Sequence, residues 1–293
     1  MTAPLNADLH CHSVVSDGTL TPEELAQRAK ANGVQLWALT DHDEIGGQAR
    51  AAAAAAACGL DYLTGVEISV SFLQQTVHIV GLGFDANNAA LIEGLQQTRG
   101  GRSQRAREMA ADLARVGITG AFEGALKYAG NPELISRTHF ARFMVETGVC
   151  KDTYEVFRKY LTEGKPGFVE HRWASLKDAV NWIREAGGVA VIAHPARYKF
   201  SANEEFALFT EFKGFGGQGV EVVTGSHSAA EYVTYAKLAT ELGLVASIGS
   251  DFHSPGESHT DLGALPALPA QLTPVWTLLQ SRIQHAPAPS LTT

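Results

Sequence analysis

Seven short apolar runs recur along the chain: NADLHCH (6–12), VQLWALTDHD (34–43), YLTGVEISVSF (62–72), TVHIVGLGF (76–84), GVAVIAHP (188–195), GVEVVTGS (219–226) and LVASIGSDFHS (244–254). Most are separated by stretches of helical periodicity. Strand, helix, strand in repetition means parallel pairing, and seven such strands suit a barrel better than an open sheet. Thr21, Pro22 and Glu24 form a capping box with proline at the first helical position, so a helix is expected over 21–32. Further helices are expected over 175–186, 204–213 and 228–242, each ending near glycine. The rhythm breaks over 95–165, where consecutive helical stretches carry no clear strand. The expectation is an α/β barrel on 1–94 and 166–285, a helical insertion on 95–165 that caps the substrate, and a disordered tail, APAPSLTT, on 286–293. The alanine run 51–57 reads as a helix packed closely through small side chains. With 45% apolar and 18% charged residues in a chain of 293, a large core is available.

The charge balance narrows the partners. A net charge of −8 does not coat long nucleic acid through bulk electrostatics. It leaves room for a small anionic ligand, because bound metal ions invert the local field. The three cysteines, Cys11, Cys58 and Cys150, are odd in number and contain no CxxC, so no disulfide framework is expected. The segment MTAPLNADLH lacks the features of a signal peptide and no apolar run reaches spanning length, so the expected location is cytoplasmic, with no membrane and no obligate protein partner.

Six of the eleven histidines fall in or just after an expected strand: His10, His12, His42, His78, His194 and His253. In barrels the carboxyl ends of the strands form the active face, where ligands from distant positions converge. Residues i and i+2 of a strand share a side, so His10 and His12 can bind one ion while Cys11 points away. Asp251 and His253 repeat the device. Glu67 sits inside an apolar run, and a buried carboxylate needs a cation, a donor or a metal. Each signal alone has a bland reading: a chance HxH, a hydrogen-bonded core histidine, an SDGT turn capped by Asp17. Gathered at strand ends they point to a metal site with nitrogen and oxygen donors only, which favours manganese, iron or zinc over a thiolate zinc site.

The segments DLHCHSVVSDGTLTPEEL, ALTDHDEIGG, GVEIS, HIVGLGFD, AHPARY and GSDFHS, in this order, resemble the PHP superfamily, named for polymerase and histidinol phosphatase. The resemblance implies a distorted (β/α)7 TIM-like barrel with a trinuclear metal centre. It implies His10, His12, Glu67 and Asp251 around a first ion, and Glu67 bridging to a second completed by His78 and His194. Asp17, His42 and His253 would hold a third. Two to three divalent ions are thus expected, manganese first, with zinc or iron as alternatives. Asp41 and Asp43 are expected to support ligands or cap a helix. ISRTHFARFM and FRKYLTEGKPGFV resemble the branch that acts on nucleotides, with 3',5'-nucleoside bisphosphate phosphatases and a 5'-3' exoribonuclease. That branch usually reads Gly-Arg-Pro-His where this chain has Ser136, Arg137, Thr138 and His139.

Clustered divalent ions suit hydrolysis of phosphate esters, with in-line attack by a metal-bound hydroxide. The resemblance implies removal of the 3'-phosphate from a nucleoside 3',5'-bisphosphate, such as adenosine 3',5'-bisphosphate to AMP. Short 5'-phosphorylated RNA, histidinol phosphate and an amidohydrolase-type C–N bond are the alternative substrates. His194, His227 and Asp17 are the candidate general acids. Arg137, His139, Lys165 and Arg197 are the candidate substrate contacts, since arginine grips phosphate in bidentate fashion. The arginines of 102–115 interleave with Glu108 and Asp112 and read as a solvated face.

Overall fold

The structure is a computed structural model that describes residues 5–171 and 173–287. In chain order its elements are β1 (Ala7–Asp8), α1 (Pro22–Ala31), β2 (Leu36–Leu39), α2 (Gln48–Cys58), β3 (Asp61–Phe72), β4 (Gln75–Leu82), α3 (Ala89–Arg99), α4 (Arg102–Arg115) and α5 (Ala121–Leu126). Then come α6 (Arg137–Glu146), α7 (Thr153–Val156) running into a π turn at Phe157–Leu161, β5 (Ala174–Ser175), α8 (Leu176–Glu185), β6 (Val189–Ile192), α9 (Ala202–Gly214), β7 (Gly219–Thr224), α10 (Ala229–Leu242) and β8 (Val245–Gly249). Among the described residues no helix is long and apolar enough to cross a membrane.

The sheet runs β1-β2-β3-β4-β6-β7-β8, with β5 off this path against β3. It closes into the expected barrel where the Leu9 N–H donates to Ile248 O at 3.0 Å and the Asp251 N–H to His10 O at 2.8 Å. Gly249 permits that closure, since a Cβ there would lie 2.2 Å from the His10 Cβ and 2.7 Å from its backbone nitrogen. Gly249→Ala must therefore push β8 away from β1 at the residue that enters the site. The expected cost is about 1–3 kcal/mol, a melting temperature lower by several degrees, read by thermal denaturation.

One expectation is corrected. β4 is antiparallel to both β3 and β6. Leu73 and Gln74, which join β3 to β4, have φ of 45° and 64°, the left-handed pair of a tight hairpin. Such turns are usually signalled by Asn-Gly or Asp-Gly, and neither residue here carries that signal. The reversal has a consequence for the site. Ser69 pairs with His78 across the ladder, so Glu67, Ser69 and His78 share one face, and His78 reaches the active end from the amino-terminal half of its strand.

The barrel core includes Leu63, Val66, Ile68, Val191, Ile192 and Val220, packed under α8, α9 and α10. Leu91 and Leu95 of α3 belong to it, so α3 crosses residue 94. A separate cluster contains Met109, Leu113, Phe140, Met144 and Leu161, supplied by α4, α6 and the π turn. In a third, Ala51 and Ala55 of the alanine run meet Ala26 and Ala29 of α1. Of the expected tail, the Ala286 N–H bonds Asp61 Oδ1 at 2.9 Å, while residues 288–293 lie outside the described residues.

Candidate metal centre and the cavity above it

Glu67 lies at the middle of the barrel mouth, fully buried, with imidazoles on all sides. Its Oε1 stands 2.8 Å from His78 Nδ1, 2.9 Å from His194 Nε2 and 3.3 Å from His10 Nε2. Its Oε2 stands 3.0 Å from His42 Nδ1 and 3.3 Å from His12 Nε2. Asp251 Oδ1 is 3.2 Å from His12 Nε2, and Asp17 Oδ1 is 3.4 Å from His253 Nε2. The structure thus brings together all nine residues singled out as ligands. Eight of them fall into three groups, His10, His12, Glu67 and Asp251, then His12, Asp17, His42 and His253, then His42, Glu67 and His78, while His194 joins through its contact with Glu67 Oε1 alone. His42 falls in two of these groups, whereas the resemblance placed it with Asp17 and His253 alone. Cys11 turns away as expected, its sulfur taking the Trp37 indole N–H at 3.2 Å.

Only some of these atoms hydrogen-bond one another, such as His194 Nε2 with Glu67 Oε1 and His12 Nε2 with Asp251 Oδ1. His10 Nε2 and His12 Nε2 face each other at 3.2 Å. His12 Nδ1, Asp17 Oδ1, His42 Nδ1, Glu67 Oε2, His78 Nδ1 and His194 Nδ1 are all buried with no aligned hydrogen-bond partner. Buried polar atoms are ordinarily paired. The unpaired Asp17 Oδ1, His42 Nδ1, Glu67 Oε2 and His78 Nδ1, with no thiolate among them, fit a group of divalent cations.

The electrostatics agree. Burial pushes the Glu67 carboxyl up, but His78, His10 and His42 outweigh it and hold the group well below the usual carboxylate range. Burial, with His253 and His42 beside it, drives His12 down to about 3, and burial also takes His78 down to about 4. Burial opposes protonation of His253 as well, yet Asp17 and Asp251 raise it to about 9. His42 and His10 are raised against burial by carboxylates, Glu67 and Asp17 for the first and Glu221 and Glu67 for the second.

Local backbone aims these groups. Asp17 enters on a turn that passes so close to His12 that a Cβ at Gly18 would sit 2.1 Å from the His12 carbonyl oxygen. Asp41 holds that turn by accepting from the Ser13 N–H at 2.8 Å and from the hydroxyls of Ser13 and Ser16 at 2.7 and 2.6 Å. Asp43 accepts the Ser69 N–H at 2.7 Å and pairs with Arg102. His194 (φ 26°), Asp251 (φ 55°) and Asp43 (φ 51°) all lie in the left-handed region. Strain of this kind costs about 1–3 kcal/mol per residue and persists where surrounding structure imposes it.

Above the cluster is a cleft of about 620 Å³, open mouth included, lined among others by Arg102, Arg105, Arg137, Arg197, Phe157 and Trp173. Two of these arginines are already partnered: Arg102 with Asp43, and Arg197 with Asp251 at 2.6 Å. Arg105 gives its Nε–H to Val169 O, and Arg137 bonds Leu161 O at 3.3 Å. Among the described residues neither has a carboxylate partner. Burial and the neighbouring Arg137 and Arg102 push Arg105 down to about 9, and burial with Arg197 and Arg102 pushes Arg137 to about 10.

Several expectations change here. Arg102 and Arg105 are not on a solvated face: they are 5% and 9% exposed and lie 4.6 and 5.3 Å from the Trp173 ring. His139 is fully buried, its Nδ1 accepting the Ser136 N–H at 3.0 Å, so it caps α6 behind the cavity wall instead of meeting substrate. Ser136 takes the position nearer the cluster and donates its hydroxyl to Asp17 at 3.1 Å. Lys165 is exposed and does not line the cleft. His227 is also removed as a proton donor. It lies outside the cleft with Nδ1 on Val222 O and Nε2 accepting the Ala196 N–H, both at 3.2 Å. Glu221, missed in the sequence, is buried in GVEVVT with one oxygen 2.8 Å from His10 Nδ1. A carboxylate inside an apolar strand was the signal that had singled out Glu67, and it was there to be read.

Known proteins resemble the chain at two levels. The PHP domain matches residues 8–93. Over 278 residues the chain is 54% identical to the 3',5'-nucleoside bisphosphate phosphatase of Chromobacterium violaceum, covering 95% of this chain and 98% of that one. It is 39% identical over 269 residues to a 5'-3' exoribonuclease of Haemophilus influenzae, covering 92% and 97%. The crystal structure of a candidate metal-dependent phosphoesterase from Bifidobacterium adolescentis superposes with a TM-score of 0.80 at 26% identity, over 94% of this chain and 96% of that one.

Proposed function

Because the chain belongs to the PHP family of metal-dependent phosphoesterases, we propose that it removes the 3'-phosphate of nucleoside 3',5'-bisphosphates. The observation that carries this reading is the pair Arg105, buried, and Arg137, half-buried, which among the described residues have no carboxylate partner and stand beside a cluster suited to cations. His10, His12, Glu67 and Asp251 would hold one ion, Glu67, His78 and His194 a second, and Asp17, His42 and His253 a third. Manganese suits this donor set, with zinc or iron possible. Such ions supply hydroxide near neutral pH and neutralise the phosphoryl oxygens. The chain's own contribution is to select and orient: Arg105 and Arg137 take the second phosphate, and Phe157 and Trp173 flank the nucleoside. Asp17 and His194 remain as groups that could protonate the leaving alcohol.

The same arginines would also receive the 5'-phosphate of a short RNA, and the two aromatic rings on the wall favour that second reading through base stacking. A C–N hydrolase is disfavoured, since no described strand contains the lysine that amidohydrolases commonly use. Phosphate release should be measured across 3',5'-bisphosphates, 2',5'-bisphosphates, 5'-monophosphates, histidinol phosphate and 5'-phosphorylated RNA. Turnover of 5'-monophosphates as fast as that of 3',5'-bisphosphates would sink the reading.

Metal loading should release protons. His10, His42 and His253 have pKa values raised in the metal-free fold, so they hold protons that compete with the ions. His12 and His78 are already neutral at pH 7. Apparent affinity should therefore rise with pH through neutrality, at least up to the His253 value of about 9. Calorimetry in two buffers of different ionisation enthalpy would count the protons, and release of none would contradict the protonated set.

A further inference from the structure

We propose that Glu221 is the positioning residue that aligns two metal ligands far apart in the sequence, His10 and His194, and that it does so from a bulge in β7. This rests on the metal centre proposed above. Glu221 meets the far nitrogen of His10, Nδ1, while Nε2 faces Glu67 and the cluster, so its role is not to coordinate. Its carboxylate is 1% exposed and uses both oxygens. Oε1 is 2.8 Å from His10 Nδ1, and Oε2 accepts the backbone N–H of His194 at 2.7 Å. A buried carboxylate opposite an imidazole nitrogen fixes the proton on that nitrogen. In the neutral, metal-binding ring the His10 proton thus sits on Nδ1, and Nε2 keeps its lone pair toward Glu67, His12 and Asp251.

The second arm acts on backbone. His194 adopts φ 26°, unfavourable for a residue with a side chain, at the start of the turn 194–197. The register of β7 against β8 shifts between Glu221 and Val223. Bulges of this kind re-aim side chains beside active sites. Here the carbonyl of the intervening Val222 accepts the His227 Nδ1–H, and His227 Nε2 accepts the Ala196 N–H two residues past His194. Two arms from one bulge therefore hold one turn, Glu221 at residue 194 and Val222 with His227 at residue 196. The turn ends at Arg197, which pairs with Asp251.

Glutamine is the discriminating substitution. Glu221→Gln keeps volume and shape but cannot accept with both ends. Its NH2 must face either His10 Nδ1, forcing the ring proton to Nε2 and cancelling the lone pair, or the His194 N–H, opposing donor to donor. The expected result is a folded protein whose affinity for Mn²⁺ falls by roughly 10- to 100-fold for at least one equivalent, read by titration of the metal-free protein. Nitrogen-15 NMR of histidine-labelled, metal-free protein, titrated upward until the His10 ring is neutral, should show His10 as the Nδ1–H tautomer in the wild type and changed tautomer populations in E221Q. Packing alone would move neither reading, since the amide fills the same space. Wild-type Mn²⁺ affinity together with an unchanged His10 tautomer in E221Q would overturn the proposal. If E221Q does not fold, Glu221→Asp carries the test, because a chain one methylene shorter cannot reach both donors. The same fall in affinity supports the assignment, and wild-type affinity overturns it. Failure of the wild type to bind Mn²⁺ would instead sink the metal centre, leaving the metal-free tautomer measurement to judge the Glu221–His10 bond by itself.

Discussion

Glu67→Gln is expected to lower kcat/KM for phosphate release by at least about 10³-fold, roughly 4 kcal/mol of transition-state stabilisation. Five imidazole nitrogens lie 2.8–3.3 Å from its two oxygens. It joins two of the three ligand groups. Glutamine keeps the volume but loses the charge, and its amide nitrogen offers hydrogens where a cation should sit. Metal content should fall together with turnover, measured by elemental analysis after dialysis against Mn²⁺. Retention of full metal content and more than about a tenth of wild-type activity would mean that Glu67 is a structural carboxylate and that the centre lies elsewhere. Exchange of His12, whose Nε2 touches Glu67, Asp251 and His10, tests the same centre from its other side.

The ligands were legible because barrels bring strand ends together whatever the intervening sequence does. His10 and His12 follow β1, His42 follows β2, His194 follows β6, and Asp251 and His253 follow β8. Strand periodicity and a carboxylate in an apolar run were enough to single them out. What was not legible depended on contacts between segments far apart. Nothing in Leu73-Gln74 announces a hairpin, so the reversal of β4 was hidden. The charge interleaving in α4 reads as a solvated surface, and it is Trp173, some 70 residues later, that covers Arg102 and Arg105. His139 matched a motif, but residue matching does not say which way a side chain faces. The fold turns it inward as a cap and gives its place near Asp17 to Ser136. Glu221 was missed for a different reason. In GVEVVT it reads as an ordinary strand residue, and its need for partners is met only by His10 and the His194 N–H, both distant in sequence.

Replacing Arg105 and Arg137 together by alanine should reverse the substrate preference of the enzyme. Each hydrogen bond to a charged group contributes about 1.5–3 kcal/mol, so the pair should cost a nucleoside 3',5'-bisphosphate on the order of 10³-fold in kcat/KM. A 5'-monophosphate has nothing to offer the second phosphate position and should lose less than about 10-fold by the same measure. Arg102 and Arg197 are unsuited to the test. Removing Arg102 strands the buried Asp43, and removing Arg197 frees a carboxylate of the ligand set. Arg105 and Arg137 have no such obligations. Stability gives an independent reading. Their pKa values are pulled down to about 9 and 10, so the fold disfavours their charge at neutral pH. Truncation relieves that repulsion while opening space in the cleft, and the two effects oppose each other. The melting temperature of the double variant should stay within a few degrees of the wild type. An equal loss on mono- and bisphosphates, with the melting temperature unchanged, would show that the arginines serve the phosphate over the metal cluster, and the preference for a second phosphate would then have to arise elsewhere in the cleft.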